Sequence, residues 1–238
     1  MSTSSGKPDA LSVIPLEPTG SRTKVRNDTG GGHRLSRTTV QSDSMHNLKQ
    51  LRQQIRAQRR ALTAQQQKLH SNNVAKQLTH STLFLRSKRI AFYLSADGEI
   101  DLTPTLNRAH SMGKECFLPV IHKGPKYSLW FCRYQPGDTL IPNRFGINEP
   151  DHRKYPPVKP WGLDLILMPL VAFDTECNRL GMGGGYYDRT LNFLHTRNHW
   201  QSPCLIGIAH DCQKVDQLPV QSWDIPLQGV VTESSFYR

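Results

Sequence analysis

Residues 163–188 begin with a strand-like segment, Leu163 to Met168, apolar but for Asp164. They end in Arg179-Leu-Gly-Met-Gly-Gly-Gly-Tyr-Tyr-Asp188, which has four glycines in five positions. A chain needs glycines this dense where it turns out of a buried strand. Each permits positive φ and close approach of a ligand with no Cβ in the way. A strand, such a loop and then a helix form the unit of open α/β sheets, whose ligands sit beyond the carboxyl ends of strands. Consecutive loop N–H groups ahead of a helix form a concave anion site. Arg179 adds positive charge, and Asp188 can hold a divalent cation. These are the parts of a nucleotide-phosphate site. The bland alternative is a plain strand-to-helix turn. The loop is neither a Walker A sequence, since no Lys-Ser/Thr follows the glycines, nor G-x-G-x-x-G with an acid about twenty residues on.

The rest of the chain supplies the expected alternation. Leu48, Leu51, Ile55 and Leu62 recur at helical spacing and predict a helix over residues 47–62. Thr63-Ala-Gln-Gln66 resembles a capping box opening a second helix to about Leu78. Strands are expected at 89–95, 114–120, 127–133, 163–168, 204–209 and 229–232, with helices at 103–112 and 185–197. Residues 134–162, rich in Pro and Gly, read as a long connection. This order predicts an α/β fold, a mostly parallel sheet with helices on both faces in a Rossmann-like three-layer arrangement.

Composition narrows the class. Residues 1–44 are rich in Ser, Thr, Gly and Pro and are expected to be a disordered or non-native extension, with Met45 a candidate start and residues 45–238 the folded domain. The extension has no apolar h-region and carries acids, against a secretory signal or a transit peptide. No apolar run approaches a membrane span. Five scattered cysteines without a C-x-x-C pair fit a reducing cytoplasm. The net charge of +11 suits polyanions such as nucleotide phosphates, although no nucleic-acid-binding motif accompanies it. The ten histidines show no H-E-x-x-H spacing, which argues against zinc, and His210 reads as a loop or site-rim residue.

The segment Asn178 to Asp188 resembles the signature of the 5-formyltetrahydrofolate cyclo-ligase family, also called 5,10-methenyltetrahydrofolate synthetases. Met168-Pro-Leu-Val-Ala-Phe-Asp174, Phe92-Tyr-Leu-Ser-Ala-Asp-Gly-Glu-Ile100, the basic opening helix and Trp223-Asp-Ile-Pro-Leu227 extend the likeness in the same order over nearly all of residues 47–238. The resemblance implies an ATP- and Mg²⁺-dependent closure of 5-formyltetrahydrofolate, with or without a polyglutamate tail, to 5,10-methenyltetrahydrofolate with release of ADP and phosphate. A cytoplasmic protein, monomeric or weakly homodimeric, is expected.

The family's roles carry over by position. Leu48, Lys49 and Arg52 would lie against ATP, together with Arg179, Leu180, Gly181, Met182, Gly183, Gly184, Gly185, Tyr186 and Tyr187. Arg179 and Tyr187 are the expected catalytic side chains. Leu94, Glu99, Met182 and Tyr186 would meet the folate, the Glu99 carboxylate accepting from the pterin N–H groups. Asp188 and Asp224 are the expected Mg²⁺ ligands, although Asp224 also reads as a turn former. Arg52, Arg56, Arg59 and Arg60 form a stripe that, Arg52 apart, reads as solvated. Two basic positions common in the family are Leu48 and Gly184 here, so charge would have to come from Lys49, Arg56 or Arg144. A non-catalytic nucleotide or folate binder on the same fold, and a basic RNA-associated protein, remain the alternatives.

Overall fold

The computed structural model describes residues 37–122, 128–143, 146–196 and 203–238, with side chains from Asn47 onward. In chain order its strands are β1 (Arg89–Ala91), β2 (Glu115–His122), β3 (Ser128–Arg133), β4 (Leu140–Pro142), β5 (Asn148–Pro150), β6 (Leu165–Pro169), β7 (Ala172–Phe173), β8 (Arg179–Leu180), β9 (Cys204–Ile208), β10 (Gly229–Val231) and β11 (Phe236–Tyr237). The α-helices are α1 (Arg37–Arg60), α2 (Ala64–His80), α3 (Thr82–Arg86), α4 (Thr103–Ser111) and α5 (Tyr186–Leu191). A seven-stranded sheet has the order β11-β10-β9-β6-β1-β2-β3. From β10 to β2 every pairing is parallel, and antiparallel β11 and β3 close the edges.

The pleat sorts the core. Ile90, Leu118, Leu165, Leu167, Ile206 and Ile208 join Val74 and Leu78 of α2, Phe84 of α3 and Leu106 and Ala109 of α4 in one cluster. Their strand neighbours Ala91, Phe117, Ile166, Met168 and Leu205 meet Leu191 of α5 and Phe173 of β7 in another. Alternate residues therefore serve opposite faces, and both faces carry helices. The three-layer α/β architecture is the one the sequence predicts.

Strand β1 has β2 on one side and β6 on the other, so the direction of winding reverses between β1 and β6. A crevice opens beyond the carboxyl ends of strands at such a point. The chain leaves β1 into residues 94–100 and leaves β6 into the β7–β8 hairpin and the glycine loop. Helix α1 lays Leu48, Leu51 and Ile55 against Val171, Ala172 and Leu180 of that hairpin, with Val215 and Leu218 beside them.

Several boundaries differ from expectation. Helix α1 begins at Arg37, inside the stretch expected to lack structure, because no Gly or Pro stands between Arg37 and Arg60 to stop it. It ends before Leu62, as the Thr63–Gln66 capping box starts α2 directly. The supposed loop at 134–162 holds the small antiparallel pair β4–β5. Arg179 and Leu180 belong to a β-hairpin with β7, not to the loop. The helix expected at 185–197 has six residues and passes into a 3₁₀ turn, Asn192–His195. Arg197 and Tyr127 lie outside the described residues.

Candidate active site

The loop after β1 is pinned from all sides. Asp97 and Gly98 have φ of 54° and 75°, left-handed values that are strained for an aspartate. Arg59 of α1, with 0% of its side chain exposed, donates from Nε to the Asp97 carbonyl (2.9 Å) and from Nη2 to its carboxylate (2.8 Å). Arg56 Nε reaches the same carboxylate at 2.7 Å, and Arg60 bonds it as well. Burial alone would raise the Asp97 pKa, but hydrogen bonds from Arg56 and Arg60 and the nearby guanidinium charges outweigh it and hold the carboxyl below its usual range. Nη1 of Arg59 donates to the Leu170 carbonyl beyond β6 at 3.3 Å. One buried guanidinium thus bridges the two loops that flank the crevice.

Glu99 follows in this loop. Its Oε2 accepts from the Ala96 N–H at 3.1 Å, and Oε1 lies 3.8 Å from Arg59 Nη1. The Tyr93 hydroxyl donates to the Ile100 carbonyl at 2.9 Å, and His210 Nε2 bonds the Gly98 carbonyl at 3.0 Å. Burial lifts the Glu99 pKa to about 7, against the pull of Arg59. The carboxyl is held ready to exchange a proton or accept hydrogen bonds near neutrality.

The glycine loop lies across from α1. Arg52 Nε donates to the Gly181 carbonyl at 2.9 Å, and Arg189 Nη2 to the Gly184 carbonyl at 2.7 Å. In a trans peptide the next N–H points opposite to the carbonyl. These contacts therefore turn the Met182 amide away from Arg52 and the Gly185 amide away from Arg189. Gly183 and Gly185 have φ of 96° and 61°, and a Cβ on Gly185 would come within 2.7 Å of Arg189. The six-residue α5 adds little dipole, so loop amides and side chains must carry any anion site.

Tyr187 and Asp188 open α5. Burial, then the Glu99 charge, raises the Tyr187 pKa, so its phenol stays protonated as a hydrogen-bond donor. Asp188 bonds Arg179, whose other terminal nitrogen bonds the Ile225 carbonyl. Arg179 is therefore a strut between Asp188 and the 223–227 segment. Asp224 accepts the Gln221 N–H at 2.8 Å, closing its own turn. Tyr186 packs under the Arg189 guanidinium, 5.1 Å from its ring centre.

The expected residues are thus gathered unequally. Glu99, Tyr187, Arg179, Asp188, Arg52 and the glycine loop form one connected region, with Asp224 next to the Ile225 carbonyl that Arg179 holds. Leu48 packs from α1 onto the β7–β8 hairpin, Lys49 is exposed, and Leu94 and Met182 are 39% and 50% exposed. Arg56, a proposed replacement charge, is committed to Asp97; Arg144 lies outside the described residues. The supposedly solvated stripe contains the most buried charge of the site, Arg59. Asp97 and Arg189 were missed as well, and Arg189, following directly on the signature, was visible as a base within reach of the loop. His210, read as a rim residue, is fully buried. A cavity of about 460 Å³ lined by Val120, Trp130, Ile141 and Glu149 includes none of the expected residues.

Comparison with known proteins identifies the family. The 5-formyltetrahydrofolate cyclo-ligase family model matches residues 44–233. The chain belongs to this family. It is 42% identical over 187 residues to the 5-formyltetrahydrofolate cyclo-ligase of Escherichia coli K12, covering 77% of this chain and 99% of that one. It is 40% identical over 188 residues to the Haemophilus influenzae protein of the same name, covering 76% and 97%. The solution structure of Aquifex aeolicus 5,10-methenyltetrahydrofolate synthetase superposes with a TM-score of 0.67 at 34% identity, covering 80% of this chain and 92% of that one. In this cyclo-ligase family member, no described helix is long and apolar enough to cross a membrane.

Proposed function

We propose that the chain converts 5-formyltetrahydrofolate to 5,10-methenyltetrahydrofolate with consumption of ATP, releasing ADP and phosphate. The observation that carries this reading is the Glu99 carboxyl, largely buried (14% of its side chain exposed) and pinned by the Ala96 N–H and Arg59 at the β1–β6 crevice. A buried acceptor suits the amino and ring N–H groups of a pterin, and a pocket that must satisfy such donors discriminates strongly.

The chemistry requires activation of a poor leaving group. The formyl oxygen attacks the γ-phosphorus of ATP, the bond to the β,γ-bridging oxygen breaks, and ADP departs. N10 then attacks the formyl carbon, the carbon–oxygen bond breaks, and phosphate leaves with that oxygen as N10 gives up its proton. Such transfer rests on positioning and charge neutralisation. The amides of Met182 and Gly185 would face the phosphates. Arg52 and Arg189 would hold the loop in shape from its carbonyl side, and Tyr187 would donate toward the transferring group. Asp188 and Asp224 each have one oxygen engaged, by Arg179 and by the Gln221 N–H, so the other can face a hard cation. That donor set fits Mg²⁺, which when bound would neutralise phosphate charge.

The test follows the formyl oxygen. With substrate labelled by heavy oxygen in the formyl group, the reading expects the label in the released phosphate. Phosphate that carries only the unlabelled oxygen of water would refute it.

A further inference from the structure

Three side chains outside the reaction converge where the end of β9 meets α2. His70 comes from the middle of α2, His210 from just after β9 and Glu233 from just after β10. Their ligand atoms all lie within 4.8 Å of one another. His70 Nδ1 is 2.8 Å from His210 Nδ1 and 3.2 Å from Glu233 Oε1. We propose that His70, His210 and Glu233 form a binding site for a zinc-class divalent metal ion, separate from the nucleotide–Mg²⁺ region.

The argument starts from lone pairs. A carbonyl oxygen only accepts, so the 3.0 Å contact with Gly98 places a proton on His210 Nε2. In the neutral ring Nδ1 then carries a bare lone pair. Glu233 is a second acceptor facing the same point. A single proton on His70 Nδ1 must be shared between these two acceptors, whereas a cation satisfies all three groups at once. Zinc bonds of 2.0–2.2 Å in tetrahedral geometry place ligand atoms about 3.3 Å apart, so the two imidazole nitrogens need to part by about half an ångström, and His70 Nδ1 and Glu233 Oε1 already stand at that spacing. His70 and Glu233 side chains are 17% and 14% exposed, which gives them room to do so and leaves a fourth position for water.

The outer contacts match those of metal-bound ligands. His210 donates its remote N–H to a backbone carbonyl, and Glu233 Oε2 accepts the Asp211 N–H at 3.0 Å. Such bonds fix ring tautomer and carboxylate orientation. Two imidazoles and one carboxylate favour zinc over the hard Mg²⁺. Bound metal would tie α2, β9 and β10 together and, through His210, fix the Gly98 carbonyl next to Glu99.

The three ligands are separated by 140 residues between His70 and His210, so no local spacing announces them. The sequence expectation against zinc rested on local spacing, which a site assembled from distant residues does not show.

Titration calorimetry of the full chain with Zn²⁺ tests the proposal. One site per chain is expected, unaffected by millimolar-excess Mg²⁺. His70→Ala and Glu233→Gln, both at partly exposed positions, should each weaken it by about a hundred-fold or more, beyond the loss typical of an outer partner. Zn²⁺ should raise the unfolding midpoint of the wild type and not of the variants, whose midpoints in chelator should equal the wild-type value. Bound Co²⁺ should give visible tetrahedral d–d absorption that His70→Ala abolishes. Wild-type Zn²⁺ binding no tighter than in the His70→Ala/Glu233→Gln double variant would overturn the site.

Discussion

Replacing Glu99 with glutamine should make the protein more stable while impairing it. Burial raises the Glu99 pKa from 4.5 to about 7, so the folded chain binds this proton more tightly than the unfolded chain does. For an acid shifted upward, the contribution to stability is largest below the unfolded pKa. It falls as pH rises from 4.5 to about 7 and is level above that. The shift corresponds to about 3 kcal/mol once the group is ionised in both states. The amide that replaces the carboxyl would not titrate, and its oxygen can still accept the Ala96 N–H. Glu99→Gln should therefore exceed the wild type by about 3 kcal/mol at pH 8 and by less than about 1 kcal/mol at pH 5. Urea unfolding at both pH values reads the difference directly. The same variant should raise KM for 5-formyltetrahydrofolate and leave KM for ATP unchanged. A stability gap that does not change with pH, or a variant less stable than wild type at pH 8, would refute the claim that a desolvated carboxyl is held here.

Other perturbations probe the remaining contacts. Arg59→Met removes the buried link between Asp97 and Leu170 and leaves Glu99 without its cation; urea unfolding at pH 7 should show a loss of about 3 kcal/mol or more, and a loss under about 1 kcal/mol would contradict it. Arg52→Ala frees the Gly181 carbonyl; steady-state kinetics should show KM for ATP up by about tenfold, matching the value of one charge-assisted hydrogen bond, with KM for folate unchanged. Gly185→Ala places a Cβ at φ 61°, 2.7 Å from Arg189; it should cost about 1 kcal/mol in stability and raise KM for ATP, and normal values of both would remove the loop from the phosphate site. Asp188→Asn keeps a partner for Arg179 and should abolish Mg²⁺-dependent turnover at an unchanged unfolding midpoint; near-normal turnover would remove Asp188 from the metal site.

The sequence made some of this legible through local rules. Unbroken apolar runs such as Leu165, Ile166 and Leu167 marked the central strands because each strand is buried on both faces. Thr63 and Gln66 marked a helix start because the capping box closes within four residues. The β7–β8 hairpin escaped notice because two-residue strands have no periodicity. Arg59 escaped because an arginine stripe on a helix reads as solvated. Its burial depends on Asp97 and Leu170, which the β1–β6 reversal brings together across the sheet. The glycine loop was found for its composition, but the role of Arg52 on its carbonyl side needed the packing of α1 against the hairpin. Arg179, expected on the phosphates, ties Asp188 to the Ile225 carbonyl, a contact set by residues far apart in the chain.

The central claim is an ATP-driven ring closure in which Glu99 holds the folate. The direct measurement follows the near-ultraviolet absorbance of methenyltetrahydrofolate from 5-formyltetrahydrofolate, with ATP and Mg²⁺ present, with each omitted, and with Glu99→Gln. The account predicts product only when both are present and a sharply reduced rate at low folate with the variant. No ATP-dependent product from the folded wild type, or equal rates from wild type and variant, would contradict it.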